Sequence, residues 1–248
     1  MEAKKISGQS LQKKVRAVLC IFAVGLAAAS MAGAQQARRP IYSVETSENK
    51  VALGINCAWG NEDIEQILDV LRQHNVKASF FVLGQWAERY PDSVRMISRA
   101  GHEVGSHSDS HADMTKLSEA EILREIRESS RKIERVTGRK PTLLRTPSGA
   151  YNTKVIKLIE KEGLYPIQWD CDSLDYKNLS AAQMWERISK KLRSGSILLF
   201  HGGTKNTAGA LPQIIEAIRE RGYEFVMVSE LIHPHPYNVD FEGRQWPG

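Results

Sequence analysis

From residue 51 to residue 228, short apolar runs and amphipathic segments take turns about seven times, and no other feature of the chain restricts its fold more. The runs at 51–55, 77–83, 102–105, 142–144, 165–169, 196–200 and 223–228 are too short for helices and read as strands. Between them apolar residues recur at helical spacing, as in Ile64, Ile67, Leu68 and Leu71, or Leu211, Ile214, Ile215 and Ile218. The punctuation agrees. Ser118 with Glu121 and Ser180 with Gln183 have capping-box spacing, Asn152 stands as an N-cap, and Gly138, Gly163 and Gly222 stand as stops. Strands alternating with helices are buried together in a parallel sheet wrapped by helices. This many repeats points to a closed or nearly closed barrel, in which chemistry collects at the carboxyl ends of the strands.

One such domain is expected over residues 50–232, after a polar linker at 35–49 and before an irregular tail at 233–248. The tail holds His233 and His235 in a His-Pro-His-Pro run and reads as a loosely packed terminal segment. Residues 1–34 open with Lys4, Lys5, Lys13, Lys14 and Arg16, continue apolar except for Ser30, and end in Ala32-Gly33-Ala34. That is the pattern of a secretory signal, or of a retained membrane anchor near the lower length limit. Either places the rest of the chain outside the cytoplasm, exported to the wall or the medium. With Glu2 counted, this leader carries +4 of the formal +5, so the remainder stands at +1. A near-neutral body is not a polyanion binder, so no nucleic-acid partner is expected, and membrane contact only through an uncleaved leader.

Five polar clusters fall at or just past strand ends: Asn56-Cys57, His107 with His111, Arg145, Asp172 with Asp175, and His201. Two imidazoles four residues apart share a face if the segment is a helical turn, and together can hold one divalent metal ion. Arg145, within Arg-Thr-Pro-Ser-Gly149, is a permanent cation suited to orienting a carboxylate in a bidentate way. Carboxylates at 172 and 175 can back a histidine and raise its basicity. His201 ends an apolar strand and emerges at the barrel mouth. Metal, acid and orienting charge make a hydrolytic site.

His107-Ser-Asp-Ser-His111, Arg145-x-Pro-x-Gly149, Asp172-Ser-Leu-Asp175-Tyr-Lys-Asn178 and Leu199-x-His201, in this order and spacing, resemble motifs of the polysaccharide deacetylase family (NodB homology, carbohydrate esterase family 4). The opening at 51–61 is closest to the branch associated with sporulation-type deacetylases. The resemblance implies a distorted (β/α)7-8 barrel and a divalent metal, commonly zinc. It implies hydrolysis of the acetamide on N-acetylated amino sugars in peptidoglycan or chitin-like glycans. Carried over by motif, His107 and His111 are the metal ligands, Arg145 the orienting cation and His201 the general acid for the departing amine. Asp175 supports that histidine, and Trp59, Tyr151 and Tyr176 line the substrate groove.

The first motif departs from the pattern. Where the family has two aspartates, a base and a metal ligand, this chain has Asn56 and Cys57. An amide cannot take a proton from water. Cys57 has three open readings: a thiolate ligand in a Cys-His-His zinc set, a core residue, or half of a disulfide with Cys171. Glu62 and Asp109 are candidate substitute bases. The alternative to an active hydrolase is a homologue that binds cell-wall glycan without turnover.

Overall fold

The computed structural model describes residues 38–248; the leader and the first part of the linker lie outside the described residues. The main sheet contains β2 (Lys50–Cys57), β3 (Ser79–Val82), β4 (Glu103–Ser106), β5 (Leu143–Arg145), β6 (Tyr165–Ile167), β7 (Cys171–Asp172) and β8 (Ile197–His201). Its strand order is β6-β5-β4-β3-β2-β8-β7, with β9 (Glu224–Val226) paired to the start of β2, and every pairing is parallel. The two ends of this path, β6 and β7, are joined by only residues 168–170. The four Cα steps from Ile167 to Cys171 span at most about 14 Å, so the sheet has curled until its edges come close. This is the distorted barrel that the sequence leads one to expect, left open along one seam.

The helices that cover it are α1 (Ile64–Gln73), α2 (Gly84–Arg89), α3 (Pro91–Arg99), α4 (Glu119–Thr137), α5 (Thr153–Lys161), α6 (Ala181–Ser189), α7 (Thr207–Glu220) and the short α8 (Val228–Leu231). The caps form as the sequence reads. Ser118 and Ser180 each close a capping box, with Glu121 and Gln183, and Asn152 accepts from the Val155 amide. Among the described residues no helix is long and apolar enough to cross a membrane.

Strand alternation sorts side chains into two layers. Val51, Leu53, Ile55 and Cys57 of β2 face outward into the apolar layer beneath the helices, with Phe80, Val82, Leu198 and Phe200. Ala52 faces inward, where it joins Phe81, Leu143, Ile167 and Ile197. Asn56 has the same parity as Ala52 and comes out at the inner mouth.

Two segments differ from their sequence reading. Within the linker, Ile41 and Val44 have no exposed surface; Ile41 bridges to Ile167 and Ser43 to Ser196, so this stretch fills the open seam. In the tail, β10 (Tyr237–Val239) and β11 (Arg244–Pro247) form a hairpin, and β11 pairs with β1 (Ser43–Val44). Gln245 is fully buried and its amide binds the His233 carbonyl at 2.9 Å. Strands of two to four residues are too short to show a period. Their partner stands at the other end of the described chain.

Candidate active site

Backbone register assembles the site. Asn56 on β2 and His201 on β8 are directly paired across the ladder, so both side chains leave the sheet at one level. Their cavity, about 280 Å³, is also lined by Ala58, His107, His111, Trp169 and Asp172, with Trp59, Tyr176, Ser148 and Leu199 completing the wall.

His107 follows β4 and is 1% exposed. Its Nδ1–H donates to the Arg145 carbonyl at 2.7 Å, which leaves Nε2 as the acceptor facing the cavity. Asn56 Nδ2 donates to that nitrogen at 3.3 Å. Burial pushes the His107 imidazole down to about 3, partly opposed by the carbonyl bond, so it is neutral. Burial also lowers His111. The two rings lie 5.1 Å apart, edge to face. The segment that carries them is not a helical turn. A loop twisted through left-handed backbone at Ser108 and His111 (φ 69° and 65°) brings them together. Glu125 of α4 anchors the loop by accepting from the Asp109 and Ser110 amides at 3.0 and 2.9 Å.

Arg145 ends β5 with no exposed surface. Its guanidinium lies 3.9 Å from the Phe81 ring and 5.5 Å from Trp169. Nη1 donates to Asn56 Oδ1 at 3.0 Å, Nη2 to the Gln168 carbonyl at 3.1 Å, and Nε has no partner among the described residues. Among the described residues no carboxylate pairs with this cation in the bidentate way expected; its fork reaches an amide and a backbone carbonyl. Burial lowers the guanidinium from its ordinary value and the Asp172 charge pulls it back up.

The other wall is complete. Asp175 has no exposed surface and holds His201 at two points, accepting from Nδ1–H at 2.7 Å and from the backbone N–H at 2.6 Å. Thr207 Oγ donates to the same carboxylate at 2.6 Å. The His201 ring is left between Trp59 (5.3 Å) and Tyr176 (5.4 Å), which are half exposed. Asp172 stands beside this pair, its Oδ1 accepting from the Leu174 amide at 2.9 Å.

The structure does not bring Cys57 here. It faces the opposite side of β2, fully buried, and burial raises its thiol far above the ordinary value, with the Asp63 charge adding to the shift. Cys57 and Cys171 are both free. Asp109 is tied to Lys132 at 3.0 Å, and neither it nor Glu62 lines the cavity. Tyr151 lies outside it as well, edge-on to Tyr42 at 6.4 Å. Sequence reasoning missed Trp169, whose signal was its place at the end of the 165–169 run, and Thr207, which carried none.

A divalent metal fits these residues only in part. His107 Nε2 and His111 are suitable donors, but a catalytic site of this kind uses three protein ligands. Although His107, His111, Asp172 and His201 share the cavity, among the described residues no three His, Cys, Asp or Glu side chains are placed to hold one metal ion.

A parallel barrel with an imidazole pair and a carboxylate-backed histidine at its mouth is an α/β protein whose site holds groups suited to hydrolysis. Residues 43–167 match the family model for polysaccharide deacetylase, and the chain belongs to that family of hydrolases. It is 34% identical over 193 residues to the uncharacterized protein YlxY of Bacillus subtilis, covering 78% of this chain and 60% of that one. It is 35% identical over 185 residues to the peptidoglycan-N-acetylglucosamine deacetylase PgdA of Listeria monocytogenes, covering 75% of this chain and 39% of that one. The chain therefore spans less than two thirds of these relatives. Among solved structures, a CE4 family pseudoenzyme from Bacillus anthracis superposes with a TM-score of 0.75 at 35% identity, over 78% of this chain and 68% of that one. A mutant of that pseudoenzyme, described as having restored enzymatic activity, superposes equally well.

Proposed function

We propose that this chain binds N-acetylated cell-wall glycan, peptidoglycan above all, in the cleft at the barrel mouth, and hydrolyses its acetamide slowly or not at all. The observation that carries this is Asn56. Its carboxamide sits between His107 Nε2 and the Arg145 guanidinium, where a water-activating carboxylate is required. The likeness to peptidoglycan deacetylases supports the glycan, and the likeness to a CE4 pseudoenzyme supports the loss of turnover.

His201 supplies a positioned acid: with Nδ1–H tied to Asp175, Nε2 is the atom that meets a departing amine nitrogen. Trp59 and Tyr176 offer ring faces on which a sugar stacks. A bound divalent metal, zinc in the first place, would polarise the acetamide carbonyl. His107 and His111 would hold it, with no third protein donor among the described residues to tighten it. A location outside the cytoplasm, reached through the leader, belongs to the same proposal.

The test is made on the full chain with zinc present, measuring sedimentation with peptidoglycan, affinity for N-acetylglucosamine oligomers, and acetate release. Binding with little or no acetate is the expected result. Fast zinc-dependent release overturns the slow-turnover reading, and absence of binding to either glycan overturns the cleft.

A further inference from the structure

The cleft does not end at Trp169. A larger cavity of about 790 Å³ continues from it, and the two share Trp169 and Asp172 as a common wall. The end of α6 and the turn into β8 bring Arg187, Lys190, Lys191 and Arg193 to this second cavity. On its opposite flank the cleft passes into a third cavity of about 320 Å³, sharing Ala58, Trp59 and His111 and walled by Trp86, Tyr90 and Arg89. The groove therefore runs from an aromatic end, past the paired histidines, to an end rich in cations.

Not all of that charge is spoken for. Lys190 pairs with Glu186 at 2.8 Å, and Arg193 lies 3.6 Å from Asp170. Arg187 and Lys191 are exposed and have no carboxylate partner among the described residues. The acids along the same cavity are turned to protein donors or lie at its rim. Asp170 accepts from Ser196 Oγ and the Ile197 amide, each at 3.0 Å. Asp172 accepts from the Leu174 amide, and Glu242 sits on the exposed hairpin turn.

We propose that this second cavity is an anion subsite: Arg187 and Lys191 hold a carboxylate-bearing substituent of the same glycan whose acetamide occupies the cleft. The inference rests on the glycan-binding reading above and adds to it that the bound polymer is anionic on one side of the recognised sugar. A neutral homopolymer would leave both cations in water. A glycan carrying lactyl ethers or peptide stems would pair them.

The test titrates the full chain with three probes: a neutral N-acetylglucosamine oligomer, an oligomer alternating with lactyl-ether sugars, and the same oligomer with peptide stems. Each is measured at low and at high salt, with the wild type and with the Arg187→Gln/Lys191→Gln double variant. Wild type is expected to bind a carboxylated probe about three- to tenfold more tightly than the neutral one at low salt, the scale of two exposed charge pairs. High salt or the double variant should erase that advantage and leave neutral-probe affinity unchanged. An advantage with the lactyl probe alone places the anion on the sugar, one only with stems places it on the peptide, and both support the subsite. Equal wild-type affinity for charged and neutral probes, or an advantage that survives in the double variant, overturns it. Failure of wild type to bind any of the three overturns instead the cleft reading on which it rests.

Discussion

Asn56 Oδ1 accepts a 3.0 Å hydrogen bond from Arg145, a cation with no exposed surface. A buried charge is stable when paired and costly when it is not. Here the bonded partners are a neutral amide and a backbone carbonyl, and the Phe81 and Trp169 rings lie against the guanidinium. The same amide occupies His107 Nε2, the nitrogen that a metal would use. One neutral side chain thus stands against both a buried cation and an imidazole nitrogen, with no charge for the first and no proton-accepting carboxylate for water.

Asn56→Asp returns a carboxylate to that position and removes the N–H from His107. Acetate release from N-acetylglucosamine oligomers with zinc is expected to rise by about 10²-fold or more, the usual contribution of a positioned base. Zinc affinity, followed by calorimetry, should rise with it. Release that stays at the wild-type level would mean that the base is not what the site lacks.

In the Asn56→Asp background, His201→Ala should abolish the gained acetate release and leave zinc affinity as it was. The prediction follows from His201 being held by Asp175 on the far wall from the histidine pair. A parallel fall in zinc affinity would place His201 among the ligands instead.

Cys57→Ser separates the two faces of β2. A hydroxyl in that apolar layer costs about 1–3 kcal/mol, so Tm should drop while zinc binding is unchanged. His107→Ala should do the reverse on zinc and abolish binding. Loss of zinc from Cys57→Ser would return the thiol to the ligand set.

Acid stability should depend on His102, which lies away from the site. Its Nδ1 accepts from the Ala78 amide at 3.2 Å, and burial, with the Lys77 charge, pushes it down to about 4. The unfolded chain takes up this proton near pH 6.5 and the folded chain does not. Stability is therefore full above pH 6.5 and is lost as pH falls toward 4. Asp170, which burial raises to about 6, acts in the opposite sense, stabilising below its unfolded value and losing that as pH rises through 6. Thermal melts between pH 7 and 4 should show a shallower decline for His102→Gln and a steeper one for Asp170→Asn.

Gly54→Ala tests the packing of the buried cation. An added Cβ would lie 2.6 Å from an Arg145 nitrogen and 3.0 Å from the Leu198 carbonyl. Overpacking of this kind costs about 1–3 kcal/mol, readable as a lowered midpoint in urea with an unchanged slope. A wild-type midpoint would mean that the guanidinium can shift without loss.

What the chain alone determined was the repeating pattern and the inventory of groups. Period, caps and stops are local, so the alternation that makes a parallel barrel could be read without coordinates, as could His107, His111, Arg145, Asp175 and His201 near strand ends. Seams and faces are not local. The hairpin at 237–247 pairs with Ser43–Val44 at the other end of the described chain, and Ile41 fills the gap beside β6, more than a hundred residues on; no short window contains either contact. Loop twist at Ser108 and His111, rather than a helical turn, joined the histidines. The tertiary structure also decided between two neighbours in sequence. Adjacent residues of a strand point to opposite faces, so Asn56 enters the cavity beside His201 while Cys57 is buried under the helices. Which face is inside depends on how the whole sheet curls, and only the folded chain settles that.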